Sequence, residues 1–177
     1  MGDPAARLLV VGLAPGMHGA NRTGIPFAGD GSGTALFQSL YRAGFSTHPD
    51  GLDADRADVL RHCRITNAVK CLPPQNRPRA AEIRNCNPFL RSEIQALARP
   101  AVVLALGTVA HQAVVQALGL SPKAWPFGHH RRHEVGEGLT LLDSYHCSRY
   151  NLQTRRLTPS MLDDVLIEAH EILKDHG

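Results

Sequence analysis

The segment Arg7-Leu-Leu-Val-Val-Gly-Leu-Ala14, followed by Pro15-Gly16, decides the fold of this chain. It is an apolar run of strand length, rich in Val and Leu, which is typical of a buried strand that leads into a loop. The loop from Gly16 to Gly33 is long and rich in Gly and polar residues. Long loops in compact domains are usually functional, so we expect chemistry there.

Further strands and helices alternate along the rest of the chain. Strands are predicted over residues 63–70, 101–107 and 138–145, and helices over 32–44, 79–98, the stretch from 107 to 118, and 158–173. We expect Gly44 to end the first helix, Pro88 to kink or split the second, and Thr158 and Pro159 to begin the last. Residues 119–138 are predicted to be irregular and basic.

This alternation predicts an α/β fold, a three-layer α/β/α sandwich with a central, mostly parallel four-stranded sheet. With 177 residues and 43% hydrophobic content, we expect one domain over residues 1–177. Ligands in such folds bind at the carboxyl ends of the strands. The loops after strands one, two and four should therefore line one cleft.

The charge of the chain is mildly basic and uneven, with 19 Lys and Arg against 16 Asp and Glu. Basic residues cluster within residues 61–84, 129–133 and 149–156, which suits phosphate contacts, although solvated surface is the alternative. The sequence has no apolar run of membrane-spanning length and no signal-peptide pattern. We expect a cytoplasmic, monomeric protein with no membrane partner.

Three motifs stand at the predicted strand ends. The first is Gly12-Leu-Ala-Pro-Gly-Met-His-Gly-Ala-Asn-Arg-Thr-Gly-Ile-Pro-Phe-Ala-Gly-Asp30, which has neither the Walker A nor the dinucleotide-binding glycine spacing. The others are Thr66-Asn-Ala-Val-Lys-Cys-Leu-Pro-Pro74 and Ser144-Tyr-His-Cys-Ser-Arg-Tyr-Asn151. Together they resemble the iron-sulfur type of uracil-DNA glycosylase, especially type 5, with type 4 character at Gly24-Ile-Pro-Phe27. The resemblance covers nearly the whole chain and implies the uracil-DNA glycosylase-like sandwich.

The cysteines depart from that family. Type 5 relatives carry an N-terminal segment that supplies two cluster cysteines, and we expect this chain to begin after it. Cys71 and Cys86 match the other two ligands by position, whereas Cys63 and Cys147 match neither. Because a 4Fe-4S cluster normally needs four thiolates, we expect no cofactor and no metal, with the cluster as the alternative. The cysteine spacing itself favours free thiols.

The resemblance implies roles for residues in the predicted cleft. His146 is the expected catalytic residue, because its hydrogen bond to a developing uracil anion would strengthen as the glycosidic bond breaks. Asn21 could position the attacking water, with His18 and Asp30 as further candidates. Phe27 could stack on the base and Asn67 could read its edge. The predicted substrate-binding set is Gly12, Leu13, Ala14, Gly16, His18, Phe27 and Asn67.

Each of these residues also has a structural interpretation. Phe27 could simply pack its loop on the core, Asn67 could cap a loop, and His146 could be a structural histidine at a strand end. The segment after His146 offers the predicted DNA-binding set, which is either a DNA contact or a solvated basic loop: Ser148, Arg149, Tyr150, Arg155 and Arg156. Arg149 and Tyr150 would fill the gap left by a flipped base, and the later arginines would contact phosphates.

The sequence therefore predicts a monofunctional DNA glycosylase whose partner is DNA containing deaminated bases. It would remove uracil, with hypoxanthine or xanthine as further substrates, and so initiate base excision repair. Two alternatives remain. One is a noncatalytic domain that binds damaged DNA, and the other is a nucleoside hydrolase or phosphorylase of the same architecture, which would not need the basic loops.

Overall fold

A computed structural model describes residues 1–29, 31–51, 59–136 and 138–175. Within these residues, five strands form a single sheet in the order β2-β1-β3-β5-β4. Every neighbouring pair is parallel except β4 and β5, which are antiparallel. The strands are β1 (Leu8–Gly12), β2 (Cys63–Asn67), β3 (Ala101–Leu106), β4 (Arg132–Gly136) and β5 (Leu139–Ser144).

Helices connect the strands and cover both faces of the sheet. The helices are α1 (Ala20–Thr23), α2 (Gly31–Arg42), α3 (Ala80–Gln95), α4 (Thr108–Ala117), α5 (Arg149–Gln153) and α6 (Pro159–Lys174), with a 3-10 turn at Pro74–Asn76. No helix among the described residues is long and apolar enough to cross a bilayer.

Alternation along β1 sends its side chains into two separate cores. Leu8 and Val10 pack with the apolar residues of α2 and α6 on one face. Leu9 and Val11 pack with those of α3 and α4 on the other. Since a strand presents successive side chains to opposite faces, this apolar strand must be covered on both sides, and the predicted three-layer sandwich is confirmed.

The sheet has one strand more than the four we predicted. The additional strand, β4, lies within the stretch expected to be irregular, and it pairs with β5 from Arg132 opposite Leu142 to Gly136 opposite Leu139. Only His133 of this strand is buried. An edge strand with one buried side chain lacks the apolar pattern by which strands are recognised. For this reason β4 was not predicted from the sequence.

The helix boundaries agree with the prediction within a few residues. Thr158 caps α6 by accepting a hydrogen bond from the Met161 backbone amide at 3.3 Å, and Gly44 follows α2 with a positive φ of 83°. Pro88 does not split α3, which runs unbroken from Ala80 to Gln95. Both Pro88 and Arg84, whose carbonyl loses its partner, are exposed, so water can satisfy that carbonyl.

Both edges of the sheet are protected. Residues 1–3 run beside β2, where the Ile65 amide donates to the Met1 carbonyl at 2.9 Å and the Asp3 amide to the Cys63 carbonyl at 3.0 Å. At the opposite edge, β4 is irregular between Glu134 and Gly136 and exposes Arg132 and Glu134.

Candidate active site

A cavity of about 130 Å³ opens at the carboxyl ends of β1, β2 and β5. It lies where the strand order reverses on either side of β1, which is the usual ligand position in such sheets. The three loops expected to share a cleft all contribute to its lining, and none of the described lining residues is acidic. These residues are Leu13, Ala14, Pro15, Gly16, Ala20, Phe27, Ser32, Asn67 and His146. We call this cavity the base pocket, after the base-binding role predicted for Phe27 and Asn67.

Phe27 forms one wall of the base pocket and is only 8% exposed. Its φ of 61° lies in the left-handed region, which is uncommon for a bulky side chain. Thr23 braces the preceding turn, because its hydroxyl donates to the Gly19 carbonyl at 3.2 Å and accepts from the Ile25 amide at 3.2 Å. The loop therefore holds the aromatic ring against the pocket at a conformational cost.

Asn67 ends β2 and is buried at the pocket, with 6% exposure. Its Oδ1 atom is buried and accepts no hydrogen bond from the described residues. A buried acceptor without a donor is costly, so its presence beside a cavity points to a ligand donor. Gly12 permits this arrangement, since a Cβ atom there would lie 2.5 Å from both Asn67 Oδ1 and Phe27 Cζ.

A polar network behind the pocket fixes the backbone of Asn67. Lys70 Nζ donates to the Asn67 carbonyl at 2.9 Å, to Thr66 Oγ1 at 2.6 Å and to Glu93 Oε2 at 2.6 Å. Thr66 Oγ1 also donates to the Glu93 carboxylate at 3.0 Å. Lys70 is therefore held within the fold, and part of the basic cluster predicted for phosphates supports the pocket instead.

His146 follows β5 and faces Phe27 across the pocket. The two ring centroids are 6.0 Å apart with planes inclined by 29°. Asn151 Nδ2 donates to the His146 carbonyl at 2.8 Å, which ties this loop to α5. Gly107, with a φ of 91°, allows close approach, since its Cβ would lie 3.4 Å from His146 Cβ.

An aromatic stack supports the segment that precedes His146. The rings of His129 and Tyr145 lie 4.8 Å apart with planes inclined by only 11°, and the Arg156 guanidinium sits 4.8 Å from the Tyr145 centroid. His129 Nδ1 accepts from the Tyr145 amide at 3.1 Å. Burial, aided by His130 and opposed by Asp164, lowers the pKa of His129, which favours the neutral ring that this hydrogen bond requires.

A buried network beneath the same segment joins α4, β4 and β5. His111 Nδ1 lies 2.7 Å from Asp143 Oδ1, and its Nε2 donates to the Trp125 carbonyl at 2.8 Å. Burial lowers the pKa of His111, but the hydrogen bond and charge of Asp143 more than offset it, so the pKa is raised overall. His133 Nε2 lies 3.3 Å from the other carboxylate oxygen. These three side chains could hold a metal, but hydrogen bonds already occupy both nitrogens of His111.

Neither Asn21 nor His18, two of the three candidate water-positioning residues, lines the base pocket. Asn21 is exposed and lines a neighbouring groove of about 430 Å³, which shares Pro15, Ala20 and Asn67 with the base pocket. His18 is exposed and lines neither cavity. Asp30 lies outside the described residues. The predicted roles of Asn21 and His18 therefore stay predictions.

The predicted DNA-binding residues lie at the start of α5 and after its end, in the segment that follows His146 along the chain. Tyr150 is 71% exposed, and Arg149 and Arg155 are also exposed. Ser148 has a structural contact, since its hydroxyl caps α5 by accepting from the Asn151 amide at 3.3 Å. Arg156 is exposed but lies over Tyr145, as described above.

The four cysteines form no disulfide with one another, and they do not meet at one point. Cys71 is exposed, and Cys86 Sγ accepts from the Lys70 amide at 3.4 Å, so these two lie near each other. Cys63 and Cys147 are buried in the core, where burial raises the pKa of Cys63. The thiols of the described residues therefore do not fit a four-thiolate cluster, and we derive no chemistry from one.

Sequence reasoning missed several residues of the site. Pro15, Ala20 and Ser32 line the base pocket without having been predicted there. Cys147, which follows His146, donates to the Ser32 carbonyl at 3.4 Å and links the His146 loop to α2. These contacts were not predictable, because they depend on how the loops meet.

Comparison with known proteins decides the family. Residues 1–170 match the family model described as "Uracil DNA glycosylase superfamily". This chain belongs to the uracil-DNA glycosylase superfamily. Within the uracil-DNA glycosylases, it is 44% identical over 171 residues to a type-5 enzyme from Thermus thermophilus, covering 97% of this chain and 78% of the relative. A type-5 uracil-DNA glycosylase from Pyrobaculum aerophilum is 45% identical over 170 residues, with coverages of 95% and 73%.

The type-4 uracil-DNA glycosylases are more distant. One from Pyrobaculum aerophilum is 34% identical over 119 residues, which is 67% of this chain and 53% of the relative. The similarity to type 5 is thus both stronger and longer, in agreement with the resemblance seen in the motifs.

Proposed function

We propose that this chain is a monofunctional glycosylase that removes uracil from DNA. The observation that carries the proposal is the buried Asn67 Oδ1, which has no donor among the described residues and adjoins a cavity between an aromatic wall and a histidine. Uracil presents an N–H donor beside carbonyl acceptors, so one side-chain amide can pair with its edge through both of its polar groups.

Binding requires that the nucleotide leave the helical stack, because its reacting atoms are shielded within duplex DNA. Phe27 would stack on the extruded base, and its fixed loop means that little ordering is needed when the base arrives. Arg149 and Tyr150 would occupy the gap in the duplex, while Arg155 contacts phosphate. The exposure of these three side chains supports this role.

Bond cleavage leaves a negative charge on the base. The bond between the sugar C1′ and the base nitrogen breaks with its electron pair on the base, water adds to C1′, and the water proton balances the uracil anion. His146 would donate a hydrogen bond that strengthens as this charge grows. The described residues of the pocket lining include no carboxylate, which suits an anionic leaving group. Asn21, in the adjoining groove, would orient the water.

The proposal also covers which bases are removed and the state in which the protein acts. The groove that continues from the base pocket past Asn67 gives space for the larger bases hypoxanthine and xanthine. We further propose a cytosolic monomer whose chemistry needs no resident cofactor, because hydrogen bonds and stacking supply each step.

The test is incubation of purified protein with a labelled uracil-containing oligonucleotide, followed by alkali. We expect strand scission with the parent protein and a loss of at least ~100-fold with His146→Ala, in line with removal of a transition-state donor. His48→Ala serves as the matched control, since His48 is an exposed histidine that does not line the base pocket.

Two results would contradict the proposal. Tight binding of uracil-containing DNA without scission indicates a noncatalytic domain. Release of bases from free nucleosides, with no reaction on DNA, indicates a nucleoside-cleaving enzyme.

A further inference from the structure

A second cavity, of about 160 Å³, lies at the amino end of the sheet. Arg7 and residues 61–62, which line it, precede β1 and β2, and the last turn of α6 completes it. The base pocket is at the other end of β1, five residues away. At ~3.3 Å per residue, the two cavities are separated by roughly 17 Å. The second cavity is therefore not part of the base pocket.

The lining of this second cavity is strongly basic. Arg7, Arg61 and Lys174 contribute three permanent positive charges, and His62 and His170 add two imidazoles. None of the described residues that line it is acidic. Two carboxylates lie close to its imidazoles: that of Asp3 is 3.9 Å from His62 Nδ1 and accepts from the His62 amide at 2.8 Å, and that of Glu171 interacts electrostatically with His170.

Arg7 is the group that most needs a ligand. Its Nε donates to the Pro100 carbonyl at 2.9 Å, which fixes the guanidinium. Its Nη2 is buried and has no hydrogen-bond partner among the described residues. A buried guanidinium nitrogen without an acceptor is unfavourable, and a planar guanidinium is well suited to oxygen atoms of phosphate.

The remaining wall is apolar. Phe45 and Leu173 are 3% and 7% exposed, and the Phe45 ring makes an edge contact with His170 at 5.4 Å between centroids. A ligand that fits this cavity therefore has an anionic end and tolerates an apolar body.

We propose that this cavity binds a small phosphoryl dianion, separately from the DNA bound at the base pocket. Arg7 would supply the buried donor, and Arg61 and Lys174 would supply charge at the mouth. The ligand is either inorganic phosphate or an organic phosphomonoester whose body packs against Phe45 and Leu173. The proposal does not depend on glycosylase activity.

The test is calorimetric titration of the whole protein with inorganic phosphate and with phenyl phosphate, at ionic strength held constant with chloride. We expect saturable binding at one site per chain. Arg61→Gln and Lys174→Gln should each raise the Kd at least tenfold. The matched control is Arg84→Gln, which removes the same charge from an exposed position on α3. Arg7→Gln is a less specific variant, because it also removes the hydrogen bond from Arg7 to the Pro100 carbonyl.

Two further comparisons complete the test. Tighter binding of phenyl phosphate than of phosphate supports the site and assigns it to an organic phosphomonoester, whereas equal or weaker binding supports it with inorganic phosphate as the ligand. Absence of saturable binding by both compounds would overturn the proposal. An equal loss of affinity in Arg84→Gln would also overturn it, because the effect would then be one of overall charge.

Discussion

At the scale of single residues, Asn67 combines burial with an unmet hydrogen-bond acceptor. Residues that serve only to stabilise a fold rarely show this combination, because a buried oxygen without a hydrogen bond destabilises the folded state. We expect its amide to pair with a group of the bound substrate. A substitution of Asn67 can therefore test a contribution to binding separately from a contribution to stability.

We expect Asn67→Ala to lower kcat/KM for uracil-containing DNA by about 10–100-fold, the value of roughly 1–3 kcal/mol of base-edge recognition. The melting temperature should not fall in proportion, because Oδ1 has no hydrogen bond among the described residues to lose. Steady-state kinetics and thermal melting would measure the two effects, with the exposed Asn85→Ala as control. A large fall in stability with unchanged kinetics would make Asn67 a structural residue.

Gly12 sets the depth of the base pocket. A methyl group there would meet Asn67 Oδ1 and Phe27 Cζ at 2.5 Å, so one of these side chains must move. We expect Gly12→Ala to weaken binding of uracil-containing DNA and to destabilise the fold by ~1–3 kcal/mol, typical of overpacking. Gly136→Ala, where a Cβ would have no neighbour within 4 Å among the described residues, is the control. Unchanged binding by Gly12→Ala would contradict the geometry.

At the scale of elements, the stretch from β5 to α5 is held by contacts of Tyr145 with His129 and Arg156. Arg156 lies over Tyr145, whereas Arg155 has no comparable ring contact among the described residues. We expect Arg156→Gln to lower the free energy of unfolding by ~0.5–1 kcal/mol, the usual value of an exposed cation–π contact, and Arg155→Gln to leave it unchanged. Chemical denaturation of both variants gives the comparison, and equal effects would contradict it.

The pair His111 and Asp143 makes stability depend on pH in a defined direction. The pKa of His111 is raised in the folded state, so its stabilising contribution is complete below the unfolded value of 6.5 and is lost as pH rises through the folded pKa. His129 and His170, whose pKa values are lowered, have the opposite dependence, with stability lost as pH falls.

The contribution of His111 is obtained by subtracting the denaturation curve of His111→Gln from that of the parent across pH 5–9. We expect the difference to be largest at the acid end and to shrink as pH rises. Breaking a buried pair typically costs ~3–5 kcal/mol. A difference that grows with pH would show that His111 is neutral in the folded protein.

Some strands and site contacts could be predicted from the sequence, and others could not. Leu8–Gly12 and Ala101–Leu106 were predictable because apolar runs must be buried. Phe27, Asn67 and His146 were predictable as neighbours because parallel strands end at one edge. Arg132–Gly136 was not, since its pairing with β5, rather than its own side chains, makes it a strand. The support of Asn67 by Lys70 and Glu93 was also hidden, because it depends on contacts between distant elements.

At the scale of the whole molecule, one sheet separates two apolar cores. Strands β1, β3 and β5 each contribute side chains to both, so neither core can be lost while the other stays intact. We expect the chain to unfold as a single domain in one cooperative transition. Coincident melting curves from near- and far-ultraviolet circular dichroism would test this, and two separated transitions would contradict it.

The protected edges of the sheet have a consequence for handling the protein. An open strand edge is a template on which another molecule can add a strand and begin fibrillar growth. Here one edge is occupied by residues 1–3, and the other presents Arg132 and Glu134 on a strand with irregular pairing. Concentrated solutions should therefore resist seeding into amyloid, and removal of residues 1–3 would open the site at which it begins.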